Sequence, residues 1–402
     1  MKINTDPKKI DEVLTRSVEK IYPSYKELKG VMLSGRRLRL YCGYDPSAPT
    51  LHIGHMITLR KLAQFQLLGH EVIMLIGDFT GMIGDPTDKT AARKKMSRQE
   101  VLENSKNYKK QASKFLKFTG SNPAKILYNS QWSDKLTFKD LIELASNFTV
   151  QQMIIRDMFQ ERIKKKRPIF LHEFLYPLAQ GFDSVAMDVD LEIGGEDQTF
   201  NMLCGRTLMK IIKNKQKFVL ATKLLTDPSG KKMGKTERNI INLDVKPEEM
   251  FGRIMAWPDS LIVLGFELCT NLRTEEVEKI SEQLKEKKIN PREAKTRLAK
   301  EIVVICHNKK AAESAEREFE RIFREKKLPT KILEFKIEER TLNILDLLTK
   351  TKLAPSKSEA KRLISQKGVK INGQIQKDWQ KIIEIKKRMV IQVGKRKFAR
   401  II

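Results

Sequence analysis

Cysteine is scarce and scattered. The 402 residues hold four, Cys42, Cys204, Cys269 and Cys306, with no Cys-x-x-Cys pair among them. That spacing disfavours a disulfide framework and a zinc site, and it suits a reducing cytosol. Long apolar runs are also missing. None approaches the roughly 18 residues of a membrane span, and the best, Val72 to Ile76, reads as a buried strand. The start of the chain carries Asp6, Asp11, Glu12, Glu19 and Glu27 without an apolar core, unlike a secretory or transit peptide. Glycine and proline are modest, at 20 and 14 residues, and 40% of the chain is apolar, the composition of an ordered globular protein large enough for a substantial core.

Negative charge is in short supply. Lys and Arg number 78 against 50 Asp and Glu, a net charge of +28. Such a surplus points to a polyanionic partner, the alternative being a generally basic surface. Its distribution favours the partner: residues 351–402 hold 15 Lys and Arg against three Asp and Glu, within a segment that otherwise looks folded.

What is present centres on Tyr41 to His55. Arg37-Leu38-Arg39-Leu40 alternates like an early strand, and Met56 to Leu68 reads as a helix. Between them lie Gly43, Asp45-Pro46, Ala48-Pro49 and Gly54, which is turn chemistry. His52 and His55 therefore sit where a strand hands over to a helix. Outward backbone N–H groups and the positive end of the helix dipole favour a phosphate there, and imidazole donors can follow charge developing on phosphorus. Gly54 leaves room for a base or ribose. Two surface histidines at a helix start are the bland alternative. A second phosphate-handling stretch, Thr226 to Thr236, carries Lys231, Lys232 and Lys235.

Residues 37 to about 225 alternate strand-like and helix-like segments: Glu71 to Gly77, Arg98 to Lys117, Lys125 to Tyr128, Lys139 to Ala145. That alternation predicts a parallel sheet with crossover helices, preceded by a helical preamble over residues 1–36. Ligands in such sheets bind beyond the carboxyl ends of the strands, near Gly43, Asp78 and Gly84-Asp85-Pro86. Ala145 to Lys166 reads as an amphipathic helical stretch too apolar for simple exposure, with Phe148, Val150, Met153, Ile154, Met158 and Phe159. From Lys246 to about Lys327 the pattern is helical, opened by Pro247-Glu248-Glu249, and Leu328-Pro329-Thr330 reads as a linker. Further on, helices are expected over Asn343–Thr349 and Lys357–Gln366, a hairpin turn at Asn372-Gly373, and a strand over Met389–Gly394.

Tyr176, Gln180 and Asp183 are spaced to share one helix face, with Pro177 in the first turn or at a kink. Three polar groups on an apolar segment either satisfy one another in the core or line a pocket.

Several of these motifs together resemble the class I aminoacyl-tRNA synthetases. The signatures are His52-Ile53-Gly54-His55 and Lys232-Met233-Gly234-Lys235-Thr236, the latter with Gly and Thr where the class commonly has Ser. Tyr41, the Tyr176-x-x-x-Gln180-x-x-Asp183 pattern and Gly194-Gly195-Glu196-Asp197-Gln198 resemble the bacterial tyrosyl branch. So does the C-terminal segment, which is similar to a small RNA-binding module of a ribosomal protein and of pseudouridine synthases.

The resemblance implies an α/β fold with three parts. These are a Rossmann-like parallel-sheet catalytic domain over 1–245, with a connective and dimer region about 120–170, a helical anticodon-binding domain over 246–330, and a small α+β RNA-binding module over 340–402. It implies activation of L-tyrosine with ATP, accompanied by Mg²⁺, then transfer to tRNA(Tyr), by a cytoplasmic homodimer with no protein-bound metal or prosthetic group. Matched by position, Tyr41 and Asp183 would hold the phenolic hydroxyl, and Tyr176, Gln180 and Asp85 the ammonium. Gly43, Asp45, Ser47, Gly54, Thr58, Gly195, Asp197 and Gln198 would meet ATP or the adenylate. His52, His55, Lys232, Lys235 and Thr236, with Lys89 and Arg93, would act on the phosphates. Lys357, Lys361, Arg362 and Lys370 would meet RNA.

Four rivals stand beside this reading. A P-loop would need Gly where Ser229 lies. A small-molecule nucleotidylyltransferase would not need the C-terminal module. A tryptophanyl enzyme should lack Tyr41 with Asp183. A non-catalytic RNA-binding protein on a synthetase scaffold should have lost part of the set.

Overall fold

The computed structural model describes residues 2–87, 96–227, 233, 240–323, 332–394 and 397–402. The chain divides into two compact units, Met1–Lys309 and Lys310–Ile402.

The first unit opens with α1 (Pro7–Thr15), β1 (Val18–Tyr22) and α2 (Tyr25–Leu33). The expected helical preamble thus contains a strand. Val18 to Tyr22 is too short to show a pattern, and its partner is distant in sequence: β1 pairs antiparallel with β6. Next come β2 (Arg39–Tyr44), α3 (Ile53–Leu67) and β3 (Glu71–Ile76). After α4 (Thr80–Ile83), the helix predicted over 98–117 is instead two short pieces, α5 (Arg98–Ser105) and α6 (Tyr108–Ala112). β4 (Lys125–Tyr128), α7 (Ser130–Ser133) and α8 (Phe138–Ala145) follow. The amphipathic stretch that follows splits into α9 (Val150–Ile154) and α10 (Asp157–Lys164). Thr149 caps α9 as a separate start, its side chain accepting from Gln152 N–H. The sheet is completed by α11 (His172–Met187), β5 (Leu191–Gly195), α12 (Thr199–Lys213) and β6 (Phe218–Thr222).

Strand order is β1-β6-β5-β2-β3-β4, parallel except for β1. β2 runs on to β3 and β4 on one side, while β5 and β6 return on the other. The order therefore reverses between β2 and β5, and at such a switch point the carboxyl ends of the strands leave a crevice. β3 is buried from Val72 to Ile76 and β6 throughout, as crossover helices on both faces require. Helices α11 and α12 approach closely because Gly181 faces Gly205: a Cβ on Gly181 would lie 3.1 Å from the Gly205 nitrogen.

Helices α13 (Pro247–Met255), α14 (Ile262–Cys269), α15 (Thr274–Lys285) and α16 (Pro291–Cys306) pack in the same unit. Arg16 stitches the N-terminal segment to them by donating to the carbonyls of Thr270 (2.7 Å) and Glu267 (3.2 Å) at the end of α14. The buried Lys61 of α3 donates to the carbonyls of Val13 (2.6 Å) and Arg16 (2.8 Å). All four cysteines are free and buried.

The second unit holds α17 (Lys309–Phe323), β7 (Leu333–Phe335), β8 (Thr341–Asn343), α18 (Ile344–Lys350) and α19 (Lys357–Ser365). β9 (Val369–Ile371), β10 (Gln374–Ile375), β11 (Ile382–Glu384), β12 (Val390–Val393) and β13 (Lys397–Ile401) complete it. Its main sheet runs β10-β9-β12-β13-β7, with β11 and β8 as a separate pair. Asn343 and Ser356 cap the two expected helices. The expected hairpin is present: β9 and β10 join at Asn372 (φ 46°) and Gly373 (φ 84°), two left-handed residues in a row. Ile344, Leu347, Leu348, Ala360, Ile364 and Ile391 close its core. The proposed linker at 328–330 lies outside the described residues. Among those described, no helix is long and apolar enough to cross a membrane.

Candidate active site

β2 ends at Tyr44, and the Pro-rich turn after it delivers His52 to the N-cap of α3. His52 Nδ1 accepts from Gly54 N–H (3.1 Å), and His55 Nδ1 accepts from His52 N–H (3.1 Å). The two rings stack with centroids 3.8 Å apart. With both Nδ1 atoms used as acceptors, each neutral ring carries its hydrogen on Nε2. Burial favours that neutral form, pushing His52 down to about 4 and His55 well below its ordinary value, the latter helped by its neighbour.

The chain beyond the Lys-rich stretch returns to this turn. His52 pairs with Asn242, Ile53 N–H donates to the Ile241 carbonyl (2.9 Å), and Leu243 N–H to that of Leu51 (2.8 Å). Ile241 to Leu243, nearly 200 residues further along the chain, are thereby neighbours of the turn. Met233 lines the same cavity as both histidines. Lys89, Arg93, Lys232, Lys235 and Thr236 lie outside the described residues.

That cavity measures about 440 Å³ and opens at the switch point between β2 and β5. Tyr41, Gly43, Asp45, Ser47, Gly54 and Thr58 reach it from β2, the turn and α3. Asp85 reaches it from the turn after α4, Tyr176, Gln180 and Asp183 from α11, and Gly195, Asp197 and Gln198 from the end of β5. Every sequence-predicted residue of the first unit that the structure describes is therefore on one wall or another of a single cavity.

The three polar residues of α11 do line the pocket, and they do not satisfy one another. Tyr176 hydroxyl donates to Asp45 Oδ2 (2.8 Å), and Gln180 Nε2 to Glu192 Oε1 (2.9 Å). Asp183 accepts from Trp132 Nε1 (2.8 Å) and Asn129 Nδ2 (3.3 Å). Pro177 sits in the second turn of α11 rather than the first, since the helix begins at His172. Burial pushes the Asp183 carboxyl well above the carboxylate range against the pull of those two donors, with the charges of Glu192 and Asp45 adding to the rise. Tyr41, fully buried, is likewise held as a neutral phenol, and its hydroxyl lies 3.0 Å from Ser184 Oγ. Asp85 accepts from Gln198 Nε2 (2.7 Å) and from Thr87.

Sequence reasoning missed Asn129, Trp132, Ser184 and Lys217, because no motif marks them. Glu192 faces the cavity, whereas Glu196 is exposed. In the second unit Lys357 pairs with Asp346 (2.6 Å), Arg362 with Glu359 (2.8 Å), and Lys361 lies 3.8 Å over the ring of Trp379. Lys370 is half-buried on β9. Among the described residues no cluster of three or more His, Cys, Asp or Glu is arranged to hold a metal.

A strand-to-helix turn with two Nε2–H imidazoles, lining one cavity at the switch point of a parallel sheet, is the arrangement of a class I synthetase core. Residues 33–324 match the family described as tRNA synthetases class I (W and Y), and residues 318–401 match the tyrosine–tRNA ligase SYY-like C-terminal domain. The chain is 43% identical to tyrosine–tRNA ligase 2 of Clostridium acetobutylicum, covering 98% of this chain and 99% of that one. It is 44% identical to the tyrosine–tRNA ligase of Carboxydothermus hydrogenoformans (97% of each) and 41% identical to that of Thermotoga maritima (98% of each). In fold it resembles a C-terminally truncated mitochondrial tyrosyl-tRNA synthetase of Aspergillus nidulans, with a TM-score of 0.66 and 22% identity over 79% of this chain and 94% of that one. A tyrosyl-tRNA synthetase of Archaeoglobus fulgidus solved with L-tyrosine gives a TM-score of 0.60 at 22% identity, over 77% of this chain and 100% of that one. The chain belongs to the tyrosine–tRNA ligases, within the tryptophan and tyrosine group of class I synthetases.

Proposed function

We propose that the protein activates L-tyrosine with ATP and transfers it to the 3′-terminal ribose of tRNA(Tyr). The observation that carries this is the joint placement of Tyr41 and Asp183 with the His52–His55 turn around one cavity. In the first step the tyrosine carboxylate attacks the α-phosphorus of ATP, a C–O–P linkage forms, and the bond to pyrophosphate breaks. No base is needed, so positioning and charge stabilisation dominate. ATP enters as its magnesium complex.

Tyr41 and Asp183 take the phenolic hydroxyl, and Tyr176, Gln180 and Asp85 the ammonium. A buried donor and acceptor around the phenol disfavour phenylalanine, which leaves them unpaired; the tyrosyl enzyme is the general illustration of that effect. Gly43, Asp45, Ser47, Gly54, Thr58, Gly195, Asp197 and Gln198 hold the nucleotide. The Nε2–H groups of His52 and His55 meet the phosphates, with Lys89, Arg93, Lys232, Lys235 and Thr236 on the pyrophosphate side. Residues 1–245 form the catalytic part, 246–330 the anticodon-binding part and 340–402 an RNA module working through Lys357, Lys361, Arg362 and Lys370, mainly on phosphates.

The working form is a cytoplasmic homodimer. Phe138 (78% exposed), Val150 (71%), Ile155 (69%) and Leu171 (80%) lie along the connective stretch, an apolar surface suited to a second copy of the chain. Sedimentation at micromolar concentration tests the dimer; a monomer there removes it.

Exchange of labelled pyrophosphate into ATP, without transfer RNA, tests the activity. Exchange with tyrosine, and not with phenylalanine or tryptophan, is expected. Folded protein that binds RNA but exchanges with no amino acid would overturn the proposal.

A further inference from the structure

At the cavity wall, Glu192 lining it and Lys217 behind, lies a buried ion pair that the proposed chemistry does not use. Glu192 on β5 is 2% exposed, and Lys217, just ahead of β6, is fully buried. Lys217 Nζ bonds Glu192 Oε2 and also donates to the Met202 carbonyl (3.1 Å). The other carboxylate oxygen of Glu192 accepts from Gln180 Nε2 (2.9 Å), and Ser184 Oγ lies 3.4 Å from Oε2. Space for the pair is made by Gly205 on α12, where a Cβ would lie 2.6 Å from Lys217 Nζ and 2.8 Å from Ser184 Oγ. Burying two charges is costly, and an apolar pair of similar volume is often as stable. Stability is therefore a weak reason for this arrangement, and its contacts suggest another.

An ionised carboxylate only accepts hydrogen bonds, so it fixes which end of the Gln180 amide it meets. We infer that Lys217 and Glu192 are positioning residues for the amino-acid pocket: the ionised Glu192 takes the Gln180 NH₂ group and leaves the Gln180 carbonyl oxygen to accept from the ligand's ammonium. The inference rests on the proposed placement of tyrosine's ammonium at Gln180. The titratable groups facing the pair are Tyr41 from β2, Asp183 from α11 and Cys204 from α12. Burial holds the phenol and the thiol neutral. The Lys217 ammonium is the charge partner in direct contact with Glu192. Without it, a buried carboxyl takes a proton, becomes a donor, and turns the amide round.

The test is steady-state pyrophosphate exchange by the full chain carrying Glu192→Gln or Lys217→Met, with thermal unfolding measured alongside. Glu192→Gln is isosteric. Lys217 then holds its carbonyl oxygen, its NH₂ faces Gln180, and the Gln180 oxygen is drawn away from the ligand. Both variants are expected to raise KM for tyrosine about tenfold, the worth of one hydrogen bond to a charged group, with kcat and the KM for ATP nearly unchanged. A folded Glu192→Gln protein with unchanged KM for tyrosine overturns the inference, as does a parallel loss of kcat, both KM values and melting temperature, which marks a merely structural pair. Gln180→Ala separates the two levels. If it leaves KM for tyrosine unchanged, the pocket assignment itself is wrong. If it raises KM while Lys217→Met and Glu192→Gln do not, only the positioning role is wrong.

Discussion

Trp132 Nε1 donates to Asp183 Oδ1 across 2.8 Å, joining the short helix after β4 to the middle of α11. The indole packs with Tyr41, Ile73, Leu75, Met187 and Val189, so the carboxyl is presented by an apolar cluster rather than by other polar groups of its own helix. That arrangement leaves Asp183 free to serve a ligand without holding the helix together.

Asp183→Asn should accordingly weaken selection of tyrosine over phenylalanine far more than it weakens the fold. The amide can still accept from Trp132 while turning an NH₂ group, in place of an oxygen, towards the phenol. A loss of about ten- to a hundredfold in the tyrosine-to-phenylalanine ratio of kcat/KM is expected, the range for leaving a buried polar group without its partner. Exchange kinetics with both amino acids, beside a melting curve, check it. A variant that unfolds would mean the residue serves the core.

The histidine pair gives a pH dependence with a definite sign. In the folded protein His52 titrates at about 4 and His55 also below its ordinary value, because burial penalises the cation; unfolded, both titrate near 6.5. The unfolded chain therefore binds more protons, and the stabilisation, fully present above about 6.5, is lost as pH falls towards 4. Denaturant midpoints at pH 7, 6 and 5 should drop more steeply for the unaltered protein than for His52→Asn, which keeps a good N-cap. Parallel slopes would refute the assignment of neutral, Nδ1-accepting rings.

Arg162 and Glu173 are buried together, at 1% and 3% side-chain exposure. Arg162 also donates to the Pro168 carbonyl (3.1 Å), and Glu173 accepts from Phe170 N–H (3.1 Å), so the pair fixes the start of α11. Removing one partner leaves an uncompensated buried charge. Arg162→Met should cost about 3–5 kcal/mol, and replacing both residues by apolar ones far less. Chemical denaturation of the single and double variants measures this directly.

Gly77 is needed for the space beside Asp45. A Cβ there would lie 2.0 Å from Asp45 Oδ1 and 2.5 Å from Thr80 Oγ1. Asp45 would have to leave both Thr80 (2.7 Å) and Tyr176 (2.8 Å). Gly77→Ala should lower kcat/KM in exchange about a hundredfold, the scale of a 1 Å misplacement of catalytic groups. An activity within twofold of the unaltered protein would show that Asp45 is not held where the chemistry needs it.

The turn from Tyr41 to His55 and the face of Tyr176, Gln180 and Asp183 were legible in the sequence because local spacing determines them. A strand, a glycine- and proline-rich turn and an amphipathic helix each write their pattern into a dozen consecutive residues. Trp132, Ser184 and Lys217 were not legible. Each is tied to a pocket residue through a pairing 25 to 143 residues apart in sequence, and a single buried lysine beside a strand looks no different in sequence from the exposed ones that surround it. β1 failed for the same reason: its five residues carry the charged Glu19 and Lys20, and only β6 makes them a strand. The broken helices over 98–112 and 150–164 kept their apolar periodicity across the breaks, and the second piece of each, starting after Asn107 and Arg156, has no side-chain cap to mark it.

The pairing of β1 with β6 also sets a timetable for synthesis. β1 is the first strand to leave a ribosome and β6 the last of its sheet, close to 200 residues later. At ~5–20 residues per second, nascent β1 waits roughly 10 to 40 s for β6, its partner among the described strands of the sheet. Meanwhile Glu19 and Lys20, which stay exposed in the finished fold, give this orphan edge the charges that discourage pairing with another chain. The modest strand that sequence pattern overlooks is thus the last seam of the catalytic sheet to close, and a newborn chain interrupted before residue 222 would expose the β5 edge that β6 covers.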